Sequence, residues 1–568
     1  MTKKDYTKLE KEDLLKIIEK LESRKKYGLI WDEEKIKEQF EKESENALPV
    51  LKEVKGKEIK TDPSKPTNIL IEGDNYHALS VLNYTHQGKI DVIYIDPPYN
   101  TGAKDWKYNN DYVDKNDTWR HSKWLSFMNK RLILAKKLLS EDGVLICTID
   151  DNEASTLGLL LQELFGDKDI TCVTIVHNPS GVQGINFSRN NEYAYFVHKK
   201  DKKVIAFESR EDEDADVRPF INGAKGNTKS YLRESGYNSF YPILVKNGEV
   251  IGFGDVCDKN FHPKSTNIKR KDGVIEIYPI DNDGVERKWL FSRNSVDDVI
   301  EELFVKHNSK KDIYSIFRTK KNINFKTVWV GSKFNAKTFG TQLIKEIIKT
   351  DFSFPKSLYA VEECIKAIVH DKNNAIILDF FVGSGTTAHA VLDLNKIDNG
   401  NRSFIVCTNN ENKICEEVCY PRIRNVMTGY KNLKSGEKVD GLGGNLKYYK
   451  TAFVKNSISR DDLKMRITRE CTEMLCLREA IFDEINSGVG YKIFSQNGRA
   501  MAIYYALERD GMTSLKKDLD KIKGEKILYC FTLDPLGLDK EDFVDWQGVT
   551  LEPIPQKILD IYEQIYEY

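Results

Sequence analysis

The alternation of strand-like and helix-like segments is the feature of this sequence that most restricts its fold. From residue 68 a short apolar run is followed by a helix pattern, a second apolar run, a long amphipathic segment and a third apolar run that ends near residue 151. Alternation of this kind is typical of a parallel sheet covered by helices. The pattern breaks near residue 180 and returns at residues 374–411. We therefore expect one α/β domain, Rossmann-like and doubly wound with a mostly parallel sheet, whose sequence is interrupted by an insert.

The length of the chain and its changes of pattern predict the domain boundaries. A chain of 568 residues is longer than one hydrophobic core can organise, so we expect roughly two to four domains. Near the N-terminus, Leu14, Ile17, Ile18 and Leu21 have the spacing of one helix face. The predicted segments are an N-terminal helical segment at 1–60, the first half of the α/β domain at 61–180, an insert at 181–350, the second half at 351–430 and an α+β C-terminal domain at 431–568.

Composition predicts a cytoplasmic protein without a membrane span. No run of about 18 apolar residues occurs, and the first residues, MTKKDYTKLEKEDLL, lack the apolar stretch of a secretory signal. The ten cysteines include no C-x-x-C pair. We interpret them as reduced thiols with mostly structural roles, and we predict no metal site.

The charge distribution predicts a region that contacts a polyanion. The formal net charge of the whole chain is only −1. Between Lys306 and Lys349, however, eleven basic residues are opposed only by Asp312 and Glu346, which gives this stretch a net charge of +9. Such a segment can attract nucleic acid locally. A solvated surface is the alternative explanation, and the aromatic residues within the stretch fit core packing better than stacking on bases.

A glycine-rich turn follows the apolar run NAIILDF. The sequence DFFVGSGTT, residues 379–387, joins this predicted strand to a helix, and Gly383 and Gly385 permit a tight turn with close approach by a ligand. The turn lacks the lysine of a P-loop and the third glycine of a dinucleotide fingerprint. A nucleoside cofactor without phosphates fits these residues better, and a helix-capping turn without a ligand is the alternative.

The sequence DPPY, residues 96–99, ends the apolar run VIYI. At the end of a strand, Asp96 is expected at the carboxyl edge of the sheet, while Pro97 and Pro98 lack N–H donors and hold rigid carbonyl groups. Tyr99 offers a flat face. This set suits a planar ligand with an exocyclic amino group, whose two N–H bonds would be accepted by the carboxylate and the Pro97 carbonyl. A strand–turn with an Asx-type cap is the alternative.

Together, DPPY and FFVGSGTT resemble the motifs of amino-group DNA methyltransferases that use S-adenosylmethionine, in the β arrangement of that superfamily. The segments KYGLIWD, NILIEGDNYHAL, IDVIYIDPPYNTG, SKWLSFMNKRLILAKKLLSEDGVLICTIDDNE and NRSFIVCTNNENKICEEVCYPRI further resemble the modification (Mod) subunit of type III restriction–modification systems. The resemblance covers about residues 27 to 430. It implies that the insert is a target-recognition domain between a catalytic half and a cofactor-binding half.

The resemblance also implies a role for each matching residue. Asp96, Pro97, Pro98 and Tyr99 match the catalytic motif, in which D-P-P-Y favours adenine N6 and S-P-P-Y favours cytosine N4. The residues that match cofactor-binding positions are Asp74, Asp96, Lys356, Ser357, Asp379, Phe381, Gly383, Ser384, Gly385 and Glu411. Asn409 or Asn410 could replace Glu411 as the ligand of the ribose. The chain departs from the family pattern at Phe380, where proline is usual.

The implied function is transfer of a methyl group from S-adenosylmethionine to adenine N6 in a flipped-out base of double-stranded DNA. The implied partners are a second copy of the chain and an ATP-dependent restriction (Res) subunit, with dimer or partner contacts made by the C-terminal domain. Alternatives are N4-cytosine, RNA or protein-amide methylation, and a catalytically silent subunit that only locates DNA. The intact DPPY motif and glycine turn argue against the silent subunit.

Overall fold

The computed structural model describes residues 47–566 except 109, 110, 115, 210–215, 224–228 and 321, together with Lys11, Leu14, Leu15, Leu29 and Trp31. Most of the predicted N-terminal helical segment, including Ile17, Ile18 and Leu21, lies outside the described residues. The chain divides into two compact units, the first formed by Met1–Ala206 with Lys326–Tyr568 and the second by Phe207–Phe325. In the described part of the chain, no helix is long and apolar enough to span a bilayer.

One large sheet forms the centre of the first unit. Its strands are β1 (Ala47–Glu53), β2 (Thr67–Glu72), β3 (Ile90–Ile95), β4 (Leu139–Ile149), β5 (Lys168–Ile175), β6 (Glu192–Lys199), β7 (Val328–Trp329), β8 (Ile376–Asp379), β9 (Ser403–Thr408) and β10 (Asn445–Lys455). Their spatial order is β1-β10-β2-β9-β8-β3-β4-β6-β5-β7, and the short strand Ile59–Lys60 also pairs with β10.

The centre of this sheet is parallel. Strands β10, β2, β9, β8, β3 and β4 run in the same direction, whereas β1 and β6 are antiparallel to their neighbours. In β3 the consecutive residues Val92, Ile93, Tyr94 and Ile95 are all buried, so both faces of the strand are covered. Continuous burial is the pattern of a parallel strand between two layers of helices. The predicted α/β fold with a mostly parallel sheet is confirmed.

Helices connect the strands and cover the sheet. Within residues 47–566 they are α1 (Asn75–Thr85), α2 (Arg120–Leu138), α3 (Ala154–Leu164), α4 (Leu343–Ile347), α5 (Leu358–Val369), α6 (Thr386–Asp398), α7 (Tyr420–Thr428), α8 (Arg460–Glu470), α9 (Thr472–Glu479), α10 (Met512–Asp520) and α11 (Gln556–Tyr566). Helix α5 shows the physical reason, because Leu358, Val361, Ile365 and Ile368 recur every three or four residues and are all buried.

The C-terminal segment belongs to the first unit. Strand β10 lies beside β2 in the large sheet, so the predicted boundary at residue 431 falls before a strand of that sheet. Helices α9 and α11 pack on α1, and their apolar residues share one buried cluster with it. A second sheet follows, with the strands Glu484–Gly488, Tyr491–Gln496, Arg499–Tyr504, Glu525–Phe531 and Val549–Ile554.

The second unit consists of short strands around its own core, which contains Phe220, Tyr241, Trp289 and Ile316. Its strands are Phe207–Ser209, Asp216–Pro219, Ile243–Lys246, Glu249–Phe253, Asn267–Lys269, Ile275–Ile277, Leu303–Asn308, Ile313–Lys320 and Asn322–Asn324. This unit covers fewer residues than the predicted insert at 181–350. Strands β6 and β7 fall within that range but pair within the large sheet of the first unit. Further small strand pairs in the first unit are Ala103–Tyr108 with Asp111–Asp114 and Tyr430–Lys431 with Lys438–Val439.

Candidate active site

Four predicted site segments meet at one edge of the large sheet. Strands β2, β9, β8 and β3 are adjacent and parallel, so the loops that follow them leave from the same edge. Leu378 pairs with Ile93, so Asp379, the last residue of β8, lies beside the end of β3, and Asp96 directly follows that end. In the same way Thr408 pairs with Glu72, so the turn that contains Glu411 leaves beside the turn that contains Asp74. The DPPY and glycine motifs, more than 280 residues apart in sequence, are thus neighbours.

A cluster of charged residues surrounds the end of β3. The ammonium group of Lys356 lies 3.3 Å from Asp96 Oδ1 and also pairs with Glu192 Oε2. Lys356 donates a hydrogen bond to the hydroxyl of Tyr99, which in turn donates to Glu192 Oε2 at 3.1 Å. Thr148, near the end of the neighbouring strand β4, donates to Asp96 Oδ1 at 2.7 Å. These contacts fix the position of the Asp96 carboxylate from two sides.

Burial and the central lysine act on the cluster in opposite directions. Burial raises the pKa of Asp96, and Lys356 only partly offsets that increase. For Glu192 burial is the largest effect and raises the pKa, but attraction to Lys356 and His177 together with hydrogen bonds from Lys356 and Tyr99 outweighs it, and the pKa is lowered. The pKa of Lys356 is raised by its two carboxylate neighbours although burial opposes this. The cluster therefore holds a cation between two carboxylates, and only Glu192 is stabilised in its ionised form.

The backbone of the DPPY loop is held by buried side chains. The indole of Trp124 donates to the Pro98 carbonyl at 2.7 Å, which leaves that carbonyl engaged within the protein. Asn100 follows the motif in a left-handed conformation, with φ of 55°. Its amide donates to the fully buried carboxylate of Glu153 at 2.5 Å, and His121 Nδ1 lies 2.6 Å from the same oxygen.

The glycine turn begins with a buried carboxylate. Asp379 accepts hydrogen bonds from the Thr387 hydroxyl at 2.6 Å and from the Phe381 N–H at 2.8 Å. Burial raises the pKa of Asp379 to about 7. Gly383 and Gly385 both have positive φ, 51° and 81°, so the turn requires residues that adopt the left-handed region easily. The turn therefore has a fixed shape that two glycines and one carboxylate maintain.

A buried arginine holds the other side of this turn. Arg422 in α7 donates to the Thr386 hydroxyl at 2.8 Å and to Ser384 Oγ at 3.2 Å. Burial lowers the pKa of this guanidinium to about 10. The Ser384 side chain is thus engaged within the protein.

The remaining predicted ligands have local structural roles as well. Asp74 caps α1 by accepting from the Tyr76 N–H at 2.7 Å. The N–H of Glu411 donates to Asn409 Oδ1 at 3.4 Å, at the start of the short turn that follows β9. The structure does not bring the Ser357 hydroxyl to the charged cluster, because this buried group donates to the Lys333 carbonyl at 2.8 Å.

Sequence reasoning missed four residues of this edge, namely Glu192, Thr148, Glu153 and Arg422. Glu192 begins the antiparallel strand β6, opposite the end of β4, so its strand starts at the edge where the parallel strands end. A carboxylate directly before the apolar run YAYFV was the only sequence signal for it. No group of three or more histidine, cysteine or acidic residues in the described part of the chain is arranged to hold a metal ion.

This fold and this edge define the class of protein: an α/β enzyme with its site at the carboxyl edge of a parallel sheet. The sequence profile of the DNA methylase family matches residues 90–418, more than half of the chain, and the chain belongs to that family. It is 31% identical over 351 residues to the type II methyltransferase M.KpnI of Klebsiella pneumoniae, covering 60% of this chain and 79% of that protein.

Two type III proteins are also similar. The EcoPI Mod subunit of Escherichia phage P1 is 30% identical over 449 residues, which cover 70% of this chain and 66% of that subunit. The StyLTI Mod subunit of Salmonella typhimurium is 28% identical over 380 residues, which cover 60% of this chain and 52% of that subunit. The matched region thus spans between about half and two thirds of these two subunits.

Proposed function

We propose that the chain is a sequence-specific DNA methyltransferase that transfers a methyl group from S-adenosylmethionine to adenine N6. We further propose that it acts as the modification and recognition subunit of a type III restriction–modification system. The observation that carries the proposal is the cluster of Asp96, Tyr99, Lys356 and Glu192 beside the glycine turn of the neighbouring strand.

The glycine turn fits the proposed cofactor. A Cβ atom placed on Gly383 would have no neighbour closer than 3.8 Å, and the Phe352 ring lies 3.9 Å from that position. A ligand at the turn would therefore meet exposed backbone and one aromatic ring. Asp379, Gly383 and Gly385 would hold its nucleoside portion, with Asp74 and Glu411 at the two neighbouring strand ends. When bound, S-adenosylmethionine supplies an electrophilic methyl group on a sulfonium.

The residues of the cluster can orient an exocyclic amine. Because Pro98 already accepts from Trp124, the carbonyl of Pro97 and the carboxylate of Asp96 are the acceptors that remain for the two amine hydrogens. Tyr99 presents its ring to the base, and its hydroxyl is fixed by Lys356 and Glu192. Asp96 then accepts the proton that the amine loses. The protein supplies mainly alignment, because the methyl donor is already reactive.

The target base must leave the DNA stack before it can reach this edge. Unstacking costs on the order of a few kcal/mol, which stacking on Tyr99 and hydrogen bonds to Asp96 partly offset. The recognition role is proposed for the predicted insert at 181–350, which includes the second unit and the basic stretch. The type III relatives support a Res subunit as partner. A homodimer, a partner-binding C-terminal domain and a cytoplasmic location remain predictions.

The test uses Asp96→Ala with Asp371→Ala as the matched control, since Asp371 is a surface residue whose side chain is 89% exposed. Each protein is incubated with labelled S-adenosylmethionine and duplex DNA, and the product is digested to nucleosides. We expect N6-methyladenine from the wild type and the control, and none from Asp96→Ala, although calorimetry shows cofactor binding by all three. Methylcytosine would favour the N4 alternative. A wild-type protein that binds DNA without any transfer would favour the silent subunit.

A further inference from the structure

Two loops of the first unit place exposed apolar side chains next to the charged cluster. Residues 176–191 connect β5 to β6, and β6 begins at Glu192. Residues 349–355 lead into Lys356. Because Glu192 and Lys356 form an ion pair, the two loops end at the same point of the molecule. Phe352 lies beside Gly383, and His177 acts electrostatically on Glu192, whereas the exposed apolar residues of the two loops belong to neither the proposed cofactor turn nor the cluster.

The first loop is an ordered hairpin with an apolar tip. Val182 and Arg189 pair across it through backbone hydrogen bonds of 2.6 and 3.1 Å. The N–H of Asn178 donates to the Asn190 carbonyl at 3.1 Å. At the tip, Ile185 and Phe187 are 103% and 86% exposed. Phe187 is five residues from Glu192, so the two Cα atoms are at most about 18 Å apart. A folded hairpin that presents two bare apolar side chains carries a cost in water that a binding partner would remove.

The second loop presents an aromatic ring in a strained conformation. Phe354 is 94% exposed, and its φ is 58°. Left-handed backbone is uncommon for a bulky residue other than glycine and points to a functional constraint. Phe354 lies two residues before Lys356, so its Cα atom is at most about 7 Å from that of Lys356.

The charge of the hairpin indicates the kind of partner. Residues 176–191 include no aspartate or glutamate, and Arg189 is their only cationic residue if the histidine is neutral. Asparagine, glutamine and serine occupy most of the other polar positions, and these side chains commonly contact phosphates and base edges. The Arg189 side chain pairs with Asp151 at 3.1 Å but is 65% exposed. A polyanion can therefore approach the tip without meeting a negative charge on the hairpin.

We propose that Ile185, Phe187 and Phe354 form an apolar surface that enters the DNA duplex beside the target base and occupies the space that the flipped-out base leaves. This inference rests on the proposed function, because it assigns the surface to DNA around the methylated base. Proteins that unstack DNA commonly insert phenylalanine or isoleucine between base steps. Chain connectivity keeps the Cα atom of Phe354 within about 7 Å of that of Lys356 and the Cα atom of Phe187 within about 18 Å of that of Glu192, which is the region where the gap in the stack must form.

The test compares Ile185→Ala/Phe187→Ala and Phe354→Ala with Leu536→Ala, whose leucine is 95% exposed elsewhere in the first unit. The duplex contains the recognition sequence found by sequencing DNA from cells that express the protein. A second duplex lacks the base opposite the target, so that extrusion costs less. A third carries 2-aminopurine at the target position, and its fluorescence increases when the base leaves the stack.

We expect the loop variants to lose about tenfold in kcat/KM on the normal duplex, the value of one base-stacking contact of about 1.4 kcal/mol. Transfer is expected to recover on the duplex with the missing base, and the fluorescence increase is expected to shrink. Phe354→Tyr keeps the ring and is expected to behave like the wild type, as is Leu536→Ala. Melting temperatures identify any variant that fails to fold.

Three results would overturn the inference. The first is methyl transfer and fluorescence at the wild-type level in all loop variants, and the second is an equal loss of kcat/KM on the normal duplex and on the duplex that lacks the opposite base. The third is normal fluorescence combined with a changed sedimentation coefficient of the variant. The last result would assign the surface to a second copy of the chain. Failure of the proposed function is a separate outcome. If the wild-type protein extrudes 2-aminopurine but transfers no methyl group, the proposed inserting surface is supported and the proposed methyl transfer is contradicted.

Discussion

Lys356 supplies the positive charge that faces Asp96 and Glu192 in the charged cluster, and its replacement by methionine tests how the cluster is held together. The lysine side chain is 13% exposed and the Glu192 side chain 5% exposed, so both lie largely out of water. With both carboxylates ionised, Asp96, Glu192 and Lys356 sum to a charge of −1. Lys356→Met keeps the length of the side chain and changes this charge to −2.

The expected cost follows from burial. Removing one partner of a buried ion pair leaves an uncompensated charge and typically costs about 3–5 kcal/mol. Without Lys356, burial raises the pKa of both carboxylates above the unfolded values near 4. A group whose pKa is raised on folding contributes stability at low pH and loses it as pH increases. The difference in unfolding free energy between wild type and Lys356→Met is therefore expected to be larger at about pH 8 than at about pH 5.

A double-mutant cycle measured by urea unfolding separates charge from packing. Glu192→Gln removes one of the two carboxylates, so Lys356→Met/Glu192→Gln restores a charge of −1 and is expected to be more stable than the sum of the single changes predicts. Lys333→Met is the matched control, because Lys333 pairs with Glu363 at 2.8 Å but its side chain is 48% exposed. This control is expected to cost less than about 1 kcal/mol.

The electrostatic reasoning would be refuted by a small, pH-independent cost. If Lys356→Met loses no more stability than Lys333→Met, or if the two single changes in the cycle add without coupling, Lys356 does not neutralise buried carboxylates. A large cost that is equal at both pH values would assign the effect to lost packing of the lysine stem.

The remaining predictions concern the glycine turn and the DPPY loop. Gly383→Ala and Gly88→Ala both place a side chain at positive φ, at 51° and 67°, and each is expected to cost about 1–2 kcal/mol of stability; only Gly383→Ala is expected to weaken binding of S-adenosylmethionine in calorimetry. The pKa of Asp379 is raised to about 7. Its protonated form therefore contributes to the free energy of unfolding, fully below about pH 4 and decreasingly as the pH rises to about 7. Asp379→Asn is expected to flatten that slope in urea unfolding, and an unchanged slope would contradict the assignment. Glu153→Gln is expected to lose about 1–3 kcal/mol of stability through its weakened hydrogen bond to Asn100. It is also expected to lower kcat more than it changes KM for DNA, because Glu153 positions the DPPY loop through Asn100. An effect on KM alone would contradict this positioning role.

The elements that sequence pattern predicts best are those whose physics is local. The run Val92–Ile95 is apolar at every position, and a strand buried on both faces produces that pattern whatever its neighbours are. The adjacency of Asp96 and Asp379 follows from one further rule, that the ends of parallel strands meet at one edge. The sequence therefore predicts that the two motifs lie close together, but it does not predict the register in which their strands pair.

Elements that depend on pairing between distant segments could not be predicted. Strand β10 follows the second half of the domain by some distance, and nothing in its sequence states that it lies parallel to β2. Glu192 presents the same difficulty, because an acid before an apolar run is common at the start of any strand. Its meaning comes from the antiparallel direction of β6, which brings its first residue to the edge where β4 ends.

The ion pair between Glu192 and Lys356 changes the view of the domain as two halves. Asp96 belongs to the DPPY motif, but its two charged neighbours, Glu192 and Lys356, lie in segments of the first unit that precede and follow the second unit in sequence. Neither Glu192 nor Lys356 lies within the DPPY or glycine motif, and Glu192 was predicted to be part of the insert. The charge that surrounds Asp96 is therefore set by the borders of the interruption. A change in either border that moves Glu192 or Lys356 alters the ionisation of Asp96, even though both motifs stay intact.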